Sequence, residues 1–176
     1  MVAAAIAEQI SVLEQYQALP EGANYQLIEG KIIEMPSPIK SHQQLSFKLT
    51  LLLGNFIQQH DLGEMYTAPF DVYLSEKNVY QPDLLFVSSK NAHLIERRGV
   101  MGAPDLVIEL SSEGTDHIDK KKKLHNYEKY GVKEYFIVDP EDNEVISYYL
   151  EDGRYKAGYL GFNKIESRIL DKTFEW

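Results

Sequence analysis

Residues 82–87 read PDLLFV and residues 104–110 read PDLVIEL. Both are nearly continuous apolar runs bounded by turn-forming residues, a pattern typical of buried β-strands. Each run begins with a Pro-Asp pair, and the second carries Glu109 near its end. A carboxylate in or beside a buried strand is costly to desolvate unless it has a partner, a metal ion or a proton. Asp83 and Glu109 therefore predict a functional or ion-paired site near these two strands.

A lysine-rich helix is predicted to follow the second strand. Residues 119–131 read DKKKKLHNYEKYG, and Gly131 is a suitable C-cap. At 100° per residue, Lys123 lies one turn before Tyr127 on the face predicted to pack inward, and Lys120 lies on the same side. A buried ammonium group needs a carboxylate. We expect Glu109 to be the partner of Lys123, with Lys120 as the second candidate for that role.

The flanking segments predict one mixed α/β domain. Residues 1–20 are expected to be a helical appendage, and residues 21–176 a single domain. The predicted hairpins are at 25–35, with its turn at Glu29-Gly30, and at 144–160, and further strands are predicted at 133–139 and 165–170. A helix is predicted from an N-cap at Ser41 to about His60, and a turn at 75–78. Thr115 or Asp116 is the predicted N-cap of the lysine-rich helix. The expected fold is a central mixed β-sheet flanked by α-helices.

Composition narrows the class of protein. The chain has 176 residues, a net charge of -9 and no cysteine. The acidic charge argues against an open, non-specific nucleic-acid binder, although a metal ion can still bridge acidic residues to phosphate. The lack of cysteine excludes disulfides and thiolate metal sites and is typical of a cytoplasmic protein. No apolar run is long enough to predict a membrane span.

The predicted site has the residue types of a metal-dependent phosphodiesterase. Asp83 and Glu109 would be hard oxygen ligands for Mg²⁺ or Mn²⁺, cations that retain waters and bind substrate phosphate. A bound cation acidifies water and neutralises charge on a phosphoryl transition state. Lys123 would orient or deprotonate the attacking water, or stabilise the charged phosphate.

Several stretches resemble the PD-(D/E)XK nuclease superfamily, and more closely the large bacterial family of "putative restriction endonucleases" that was formerly a domain of unknown function. They are YQLIEGKIIEM, SHQQLSFKLTLLL, FDVYL, QPDLLFVS, GAPDLVIELSS and DKKKKLHNYEKYGVKEYFIVDP, which cover most of the chain from Tyr25 to Pro140. The last two are the most specific.

The resemblance implies a restriction-endonuclease-like fold and a Mg²⁺- or Mn²⁺-dependent endonuclease that acts on nucleic acid, with DNA as the expected substrate, as a homodimer. It implies Asp83 as the first acid, Glu109 as the second acid and Lys123 as the lysine on the following helix. Glu29 would match an early acid that often joins such sites. The superfamily pattern expects lysine two residues after the second acid, and this chain has Ser111 there.

Simpler interpretations stay open for each of these residues. Asp83 and Glu109 could be strand-end residues, Lys123 could form a structural salt bridge, and Glu29 could be only a turn residue. Asp105 is expected to be structural, paired with an arginine. His42, Arg97 and Arg98 could contact phosphate or be ordinary surface residues, and Asp71 could be an exposed strand residue. The alternative function is a nucleic-acid-binding or assembly module that keeps the nuclease fold with weak or no catalysis.

Overall fold

A computed structural model describes residues 10–111 and 118–176, with the side chains of 118–120 excepted. The helices are α1 (Val12–Gln17), α2 (Lys40–Gln59) and α3 (Ile118–Tyr130), and a 3-10 helix spans Ser89–Leu94. The strands are β1 (Tyr25–Ile28), β2 (Lys31–Glu34), β3 (Gly63–Thr67), β4 (Asp71–Ser75), β5 (Asn78–Tyr80), β6 (Leu84–Ser88), β7 (Ile95–Glu96), β8 (Gly99–Val100), β9 (Leu106–Leu110), β10 (Glu134–Val138), β11 (Glu144–Glu151), β12 (Arg154–Phe162), β13 (Lys164–Ser167) and β14 (Lys172–Glu175).

The central sheet has the order β12-β11-β10-β9-β6-β3. Strands β9 and β10 are parallel and joined through α3, whereas the other neighbours in this sheet are antiparallel. Helix α2 buries Leu45, Leu49 and Leu53 in the core cluster on one face of the sheet. Helix α3 buries Tyr127 in the core cluster on the other face. The predicted α/β class, with a mixed central sheet and flanking helices, is confirmed.

A second sheet has the order β2-β1-β5-β4-β8-β7. Helix α1 packs against it through Tyr16, which is buried with Leu27 and Val79. Strands β13 and β14 form a separate hairpin that contributes Ile165 and Phe174 to the core of the central sheet. Among the described residues, no helix combines the length and the apolar character that crossing a membrane requires.

The predicted turns agree with the structure at two hairpins. Strands β1 and β2 pair around Glu29 and Gly30, which have φ angles of 49° and 78°, as the hairpin signal predicts. Strands β11 and β12 pair around Asp152-Gly153. At the end of α3, Gly131 adopts a φ of 93°, in agreement with its predicted role as C-cap.

Some boundaries predicted from sequence were wrong. Helix α2 begins at Lys40 without a side-chain cap, and the Ser41 hydroxyl donates instead to Glu141, a residue distant in sequence. Strand β5 begins at Asn78, which was assigned to a turn, because it pairs with β1 and β4. Strand β14 was not predicted. The N-terminal helix begins at Val12, and its predicted part at residues 1–9 lies outside the described residues, as do Thr115 and Asp116.

Candidate functional site

Asp83 and Glu109 are brought to the same place by the antiparallel pairing of β6 and β9. Leu84 pairs with Ile108, so Asp83, one residue before Leu84, and Glu109, one residue after Ile108, lie opposite each other. Side chains alternate between the faces of a strand, which places both carboxylates on the face that α3 covers. The backbone N–H of Leu110 donates to Asp83 Oδ2 at 2.7 Å and fixes the orientation of that carboxylate.

Lys123 reaches Glu109 from helix α3. Its Nζ lies 2.9 Å from both Glu109 Oε1 and Glu109 Oε2. The Tyr127 hydroxyl donates to Glu109 Oε1 at 2.8 Å. Tyr127 is fully buried one turn after Lys123, so packing of the tyrosine fixes the helix rotation that directs the lysine inward. The pairing expected from the helical period is therefore present.

Burial raises the pKa of the Glu109 carboxyl above its ordinary value. The positive charge of Lys123 acts in the opposite direction, and the negative charge of Asp83 raises the pKa further. The hydrogen bonds from Lys123 and Tyr127 also favour the ionised form. Two carboxylates thus lie near a single lysine, and burial together with the neighbouring charge shifts the pKa of Glu109. Such shifted pKa values are common at functional sites.

His42 is a site residue whose place the sequence did not reveal. It lies in the first turn of α2, and its Nε2 is 3.1 Å from Asp83 Oδ1. The hydrogen bond to Asp83 raises the pKa of His42, and partial burial opposes this shift. The sequence predicts His42 only as a phosphate contact or a surface residue. Only the packing of α2 against the sheet shows that it contacts Asp83.

One cavity of about 840 Å³ is lined by the side chains of His42, Asp83, Glu109 and Lys123. Asp83, Glu109 and Lys123 come from the central sheet and α3, and His42 comes from α2. The rest of the lining comes from α2, β1, β10 and the segments 35–39 and 67–69, together with single residues that include Gln81 and Ser111. It combines apolar, amide and hydroxyl side chains. The cavity is therefore wide enough to admit a substrate group beside the two carboxylates.

The comparisons with known proteins concern the family and the fold of this chain. Residues 13–170 match the model of the Uma2 family, described as "Putative restriction endonuclease". This chain belongs to the Uma2 family. The fold is similar to a crystal structure from Anabaena variabilis, described as that of a putative nuclease belonging to DUF820, with a TM-score of 0.70, 19% identity, and coverage of 85% of this chain and 84% of that one. The comparison with curated proteins found no match.

In this Uma2 chain, Ser111 occupies the position at which the resemblance to the PD-(D/E)XK superfamily predicts a lysine. Ser111 lines the cavity, but its hydroxyl donates to Asp139 Oδ2 at 3.1 Å. The amine beside Glu109 comes instead from Lys123 on α3. The structure thus places an amine at the second acid from a different element, and whether it serves catalysis stays a prediction.

The structure does not bring Glu29 to this cavity. Glu29 lies in the β1–β2 turn, and its Oε2 is 3.2 Å from Lys122 Nζ. The helical period of α3 predicts Lys121 and Lys122 on its solvent side; Lys121 is exposed, but Lys122 is partly buried and paired. The side chain of Lys120 lies outside the described residues. Glu29 therefore fits the turn-residue interpretation better than the role of an early site acid.

The remaining candidates have structural partners. Asp105 is buried and accepts hydrogen bonds from Ser88 N, Asn91 Nδ2 and Lys133 Nζ, so its cation is a lysine and not the expected arginine. Asp71 accepts hydrogen bonds from the hydroxyls of Tyr16 and Tyr73 and from Gln81. Arg97 pairs with Glu21, and Arg98 donates to Gln17 O.

The donor set at the cavity fits a hard divalent cation. Asp83 and Glu109 each present carboxylate oxygens, and Mg²⁺ commonly binds through one or two carboxylates while it keeps several waters. Among the described residues, no group of three or more His, Asp or Glu side chains is placed to hold a metal ion. A cation held by Asp83 and Glu109 would therefore rely on water and substrate oxygens for its remaining ligands.

Proposed function

We propose that this chain is a Mg²⁺- or Mn²⁺-dependent endonuclease that hydrolyses phosphodiester bonds in nucleic acid, with DNA as the expected substrate. The observation that carries the proposal is the convergence of Asp83, Glu109 and Lys123 at one cavity in a member of the Uma2 family. The expected homodimer, PD-(D/E)XK-type mechanism and cytoplasmic location are part of the same proposal and rest on the resemblance and the composition.

Each side chain has a distinct task in this proposal. Asp83 and Glu109 would hold the cation, which supplies an acidified water and positive charge for the transition state. Lys123 has three N–H donors, and two are directed to Glu109. The third can donate to a phosphate oxygen or to the attacking water. His42 would hold the Asp83 carboxylate in place through its 3.1 Å contact.

A plasmid-nicking assay with Mg²⁺ and with Mn²⁺ tests this function. We expect wild type to nick plasmid DNA only with the cation, and Asp83→Ala and Lys123→Met to lower the rate by about 100-fold or more. Lys121→Ala is the matched control, because Lys121 is an exposed lysine on the same helix. Circular dichroism checks that each variant is folded. Equal cleavage by wild type and both site variants would reject the assignment.

The second candidate function is a nucleic-acid-binding or assembly module without catalysis. Ser111 at the superfamily's lysine position, the engagement of Lys123 with both oxygens of Glu109 and the net charge of -9 favour it. It predicts that calorimetry detects no Mn²⁺ binding that depends on Glu109. A Mn²⁺ signal that Glu109→Gln abolishes, without cleavage of any nucleic acid, would show a metal site but no nuclease.

A further inference from the structure

Unpartnered polar atoms are concentrated at the cavity that holds Asp83 and Glu109. Within residues 10–111 and 118–176, three buried side-chain atoms have no hydrogen-bond partner: Gln26 Oε1, Gln81 Oε1 and His42 Nδ1. All three residues line this cavity. Buried polar groups in folded proteins are nearly always hydrogen-bonded. Their concentration at one cavity therefore indicates that this part of the site binds a ligand with polar groups of its own.

The orientation of the Gln81 amide identifies the kind of ligand atom. Gln81 Nε2 donates to Asp71 Oδ1 at 2.9 Å and to Ala23 O at 3.2 Å. Both of these partners are acceptors, so the nitrogen must face them and Oε1 must be the unpaired end. An oxygen acceptor needs a donor from its ligand. Ionised phosphate oxygens cannot donate, so this part of the cavity does not suit the nucleic-acid backbone.

Gln26 provides a second amide in the same cavity. The side chain lies on β1 and the residue is only 3% exposed. Its Oε1 has no partner among the described residues. A buried amide oxygen without a hydrogen-bond partner destabilises the fold. A contribution to ligand binding would account for a glutamine at this position of a buried strand.

Phe47 provides an aromatic surface at the edge of the cavity. It lies on α2, lines the cavity, and is 67% exposed, and Ile39, which also lines the cavity, is 56% exposed. Lys123 is the only lysine or arginine among the described residues of the lining, and it is paired with Glu109. Duplex-binding surfaces instead rely on many cations that contact phosphates. The lining is thus suited to the faces and edges of bases rather than to a duplex backbone.

We infer that the site takes an unpaired nucleotide, whose base enters the cavity, donates N–H groups to the amides of Gln81 and Gln26, and stacks on Phe47. In a duplex the N–H donors of the Watson–Crick edge are already bonded, whereas an unpaired base presents them and can stack on an aromatic side chain. This inference rests on the proposed function, since it names the substrate class of the same site: single-stranded or locally unpaired nucleic acid.

Fluorescence anisotropy tests the inference without cleavage. Affinities are measured in EDTA and in Ca²⁺ for a single strand and for a duplex of the same sequence, with DNA and RNA versions of each. We expect wild type to bind at least one single strand about tenfold or more tightly than its duplex. Comparison of the DNA with the RNA oligonucleotides shows which of the two nucleic acids supplies the unpaired base.

Variants at Phe47 and Gln26 separate ligand contacts from structural roles. Phe47→Ala should weaken single-strand binding about fivefold to 100-fold, and Phe47→Trp should restore it. Leu51→Ala is the matched control, because Leu51 is an exposed apolar residue one turn further along α2 that does not line the cavity. Gln26→Met should weaken binding about fivefold to tenfold without lowering the Tm, because Gln26 Oε1 has no partner in the described protein.

The outcomes distinguish this inference from the proposed nuclease. Single-strand preference that depends on Phe47 and Gln26, with no cleavage of the plasmid or of the single-stranded DNA and RNA oligonucleotides in Mg²⁺ or Mn²⁺, would support base binding and reject the nuclease. Metal-dependent cleavage together with equal or tighter duplex binding would keep the nuclease and overturn the inference. Equal effects of Phe47→Ala and Leu51→Ala, or no binding to any of the oligonucleotides, would also overturn it.

Discussion

Glu109 and Lys123 form the pair on which the site depends at the scale of single residues. Their side chains are 12% and 9% exposed. Taking two charges out of water is costly, and only good geometry and further hydrogen bonds compensate for it. The contact of Lys123 with both carboxylate oxygens and the hydrogen bond from Tyr127 supply that compensation. The pair is therefore stable as a unit but vulnerable to the loss of one member.

Removal of one member should cost more stability than removal of both. We expect Lys123→Met to lower the free energy of unfolding by about 3–5 kcal/mol, because it leaves the Glu109 charge buried without its cation. The double variant Glu109→Gln with Lys123→Met should unfold within about 1 kcal/mol of wild type or be more stable. Urea unfolding of the four proteins in this cycle measures both values. A double variant as unstable as Lys123→Met would contradict the argument.

Asp105 shows how a buried acid outside the site is stabilised. Burial alone would raise its pKa, but the hydrogen bonds from Lys133, Ser88 N and Asn91 outweigh it, and the pKa lies below its ordinary value. A lowered pKa in the folded state means that Asp105 stabilises the fold above the pKa of the unfolded chain. This contribution is lost as the pH falls through the lower pKa of the folded state.

The effect of Asp105→Asn should consequently depend on pH. At pH 7 we expect the variant to lose about 1–3 kcal/mol of unfolding free energy, since the amide cannot accept all three donors. The difference from wild type should shrink as the pH falls below about 4. Urea unfolding at pH 7 and pH 3 checks this, with the exposed turn variant Asp152→Asn as control. A difference that does not change with pH would show that the charge of Asp105 is unimportant.

At the scale of elements, β3 approaches the neighbouring strand β6 closely at its first residue, just after α2. Gly63 begins β3 with a φ of 148°, and a Cβ there would lie 2.2 Å from Val87 O. The close contact with the neighbouring strand thus requires glycine. Gly54, within α2, is different, because the nearest atom to an added Cβ is Met65 Sδ at 3.9 Å.

The same substitution should have opposite effects at these two positions. Gly63→Ala should lower the free energy of unfolding by about 2 kcal/mol or more, because the backbone of β6 would have to move. Gly54→Ala should raise it by up to about 1 kcal/mol, because alanine is the better residue in a helix interior. Chemical denaturation of both variants gives the two signs. A stable Gly63→Ala protein would mean that β3 tolerates displacement from β6.

Element pairing also explains which site residues could be predicted. The apolar runs and the helical period placed Asp83, Glu109 and Lys123 on β6, β9 and α3, or beside them, because local periodicity determines those elements. The pairing of β6 with β9 was not available from sequence, since pairing between strands separated in the chain depends on the complete sheet. For the same reason, the contact of His42 with Asp83 was missed.

At the scale of the whole molecule, the net charge of -9 limits how nucleic acid can bind. Each phosphate contact made by a lysine or arginine releases counterions and steepens the dependence of affinity on salt. Among the described residues that line the cavity, Lys123 alone carries a lysine or arginine side chain. Binding at this cavity should thus depend mainly on bases and metal rather than on many backbone cations.

The salt dependence of single-strand binding should consequently be shallow. With one or two phosphate contacts on a single strand, the slope of log K against log salt should be about -0.7 to -1.4. Titrations between 50 and 200 mM NaCl measure it by anisotropy, with Lys121→Ala as a control for the exposed lysines of α3. A slope of about -4 or steeper would indicate an extended basic binding surface and contradict binding centred on this cavity.

The sequence by itself determined the α/β class, two hairpin turns, the rotation of α3 and the family resemblance. These depend on local signals: alternation, helical period, turn residues and the Pro-Asp strand starts. Only the tertiary structure decided that Asp83 faces Glu109, that His42 contacts Asp83, that Glu29 lies away from the cavity, and that Gln26 and Gln81 carry unpaired oxygens there. The physical reason is that strand register and helix packing depend on contacts between distant parts of the chain, which bring together side chains that no local pattern relates.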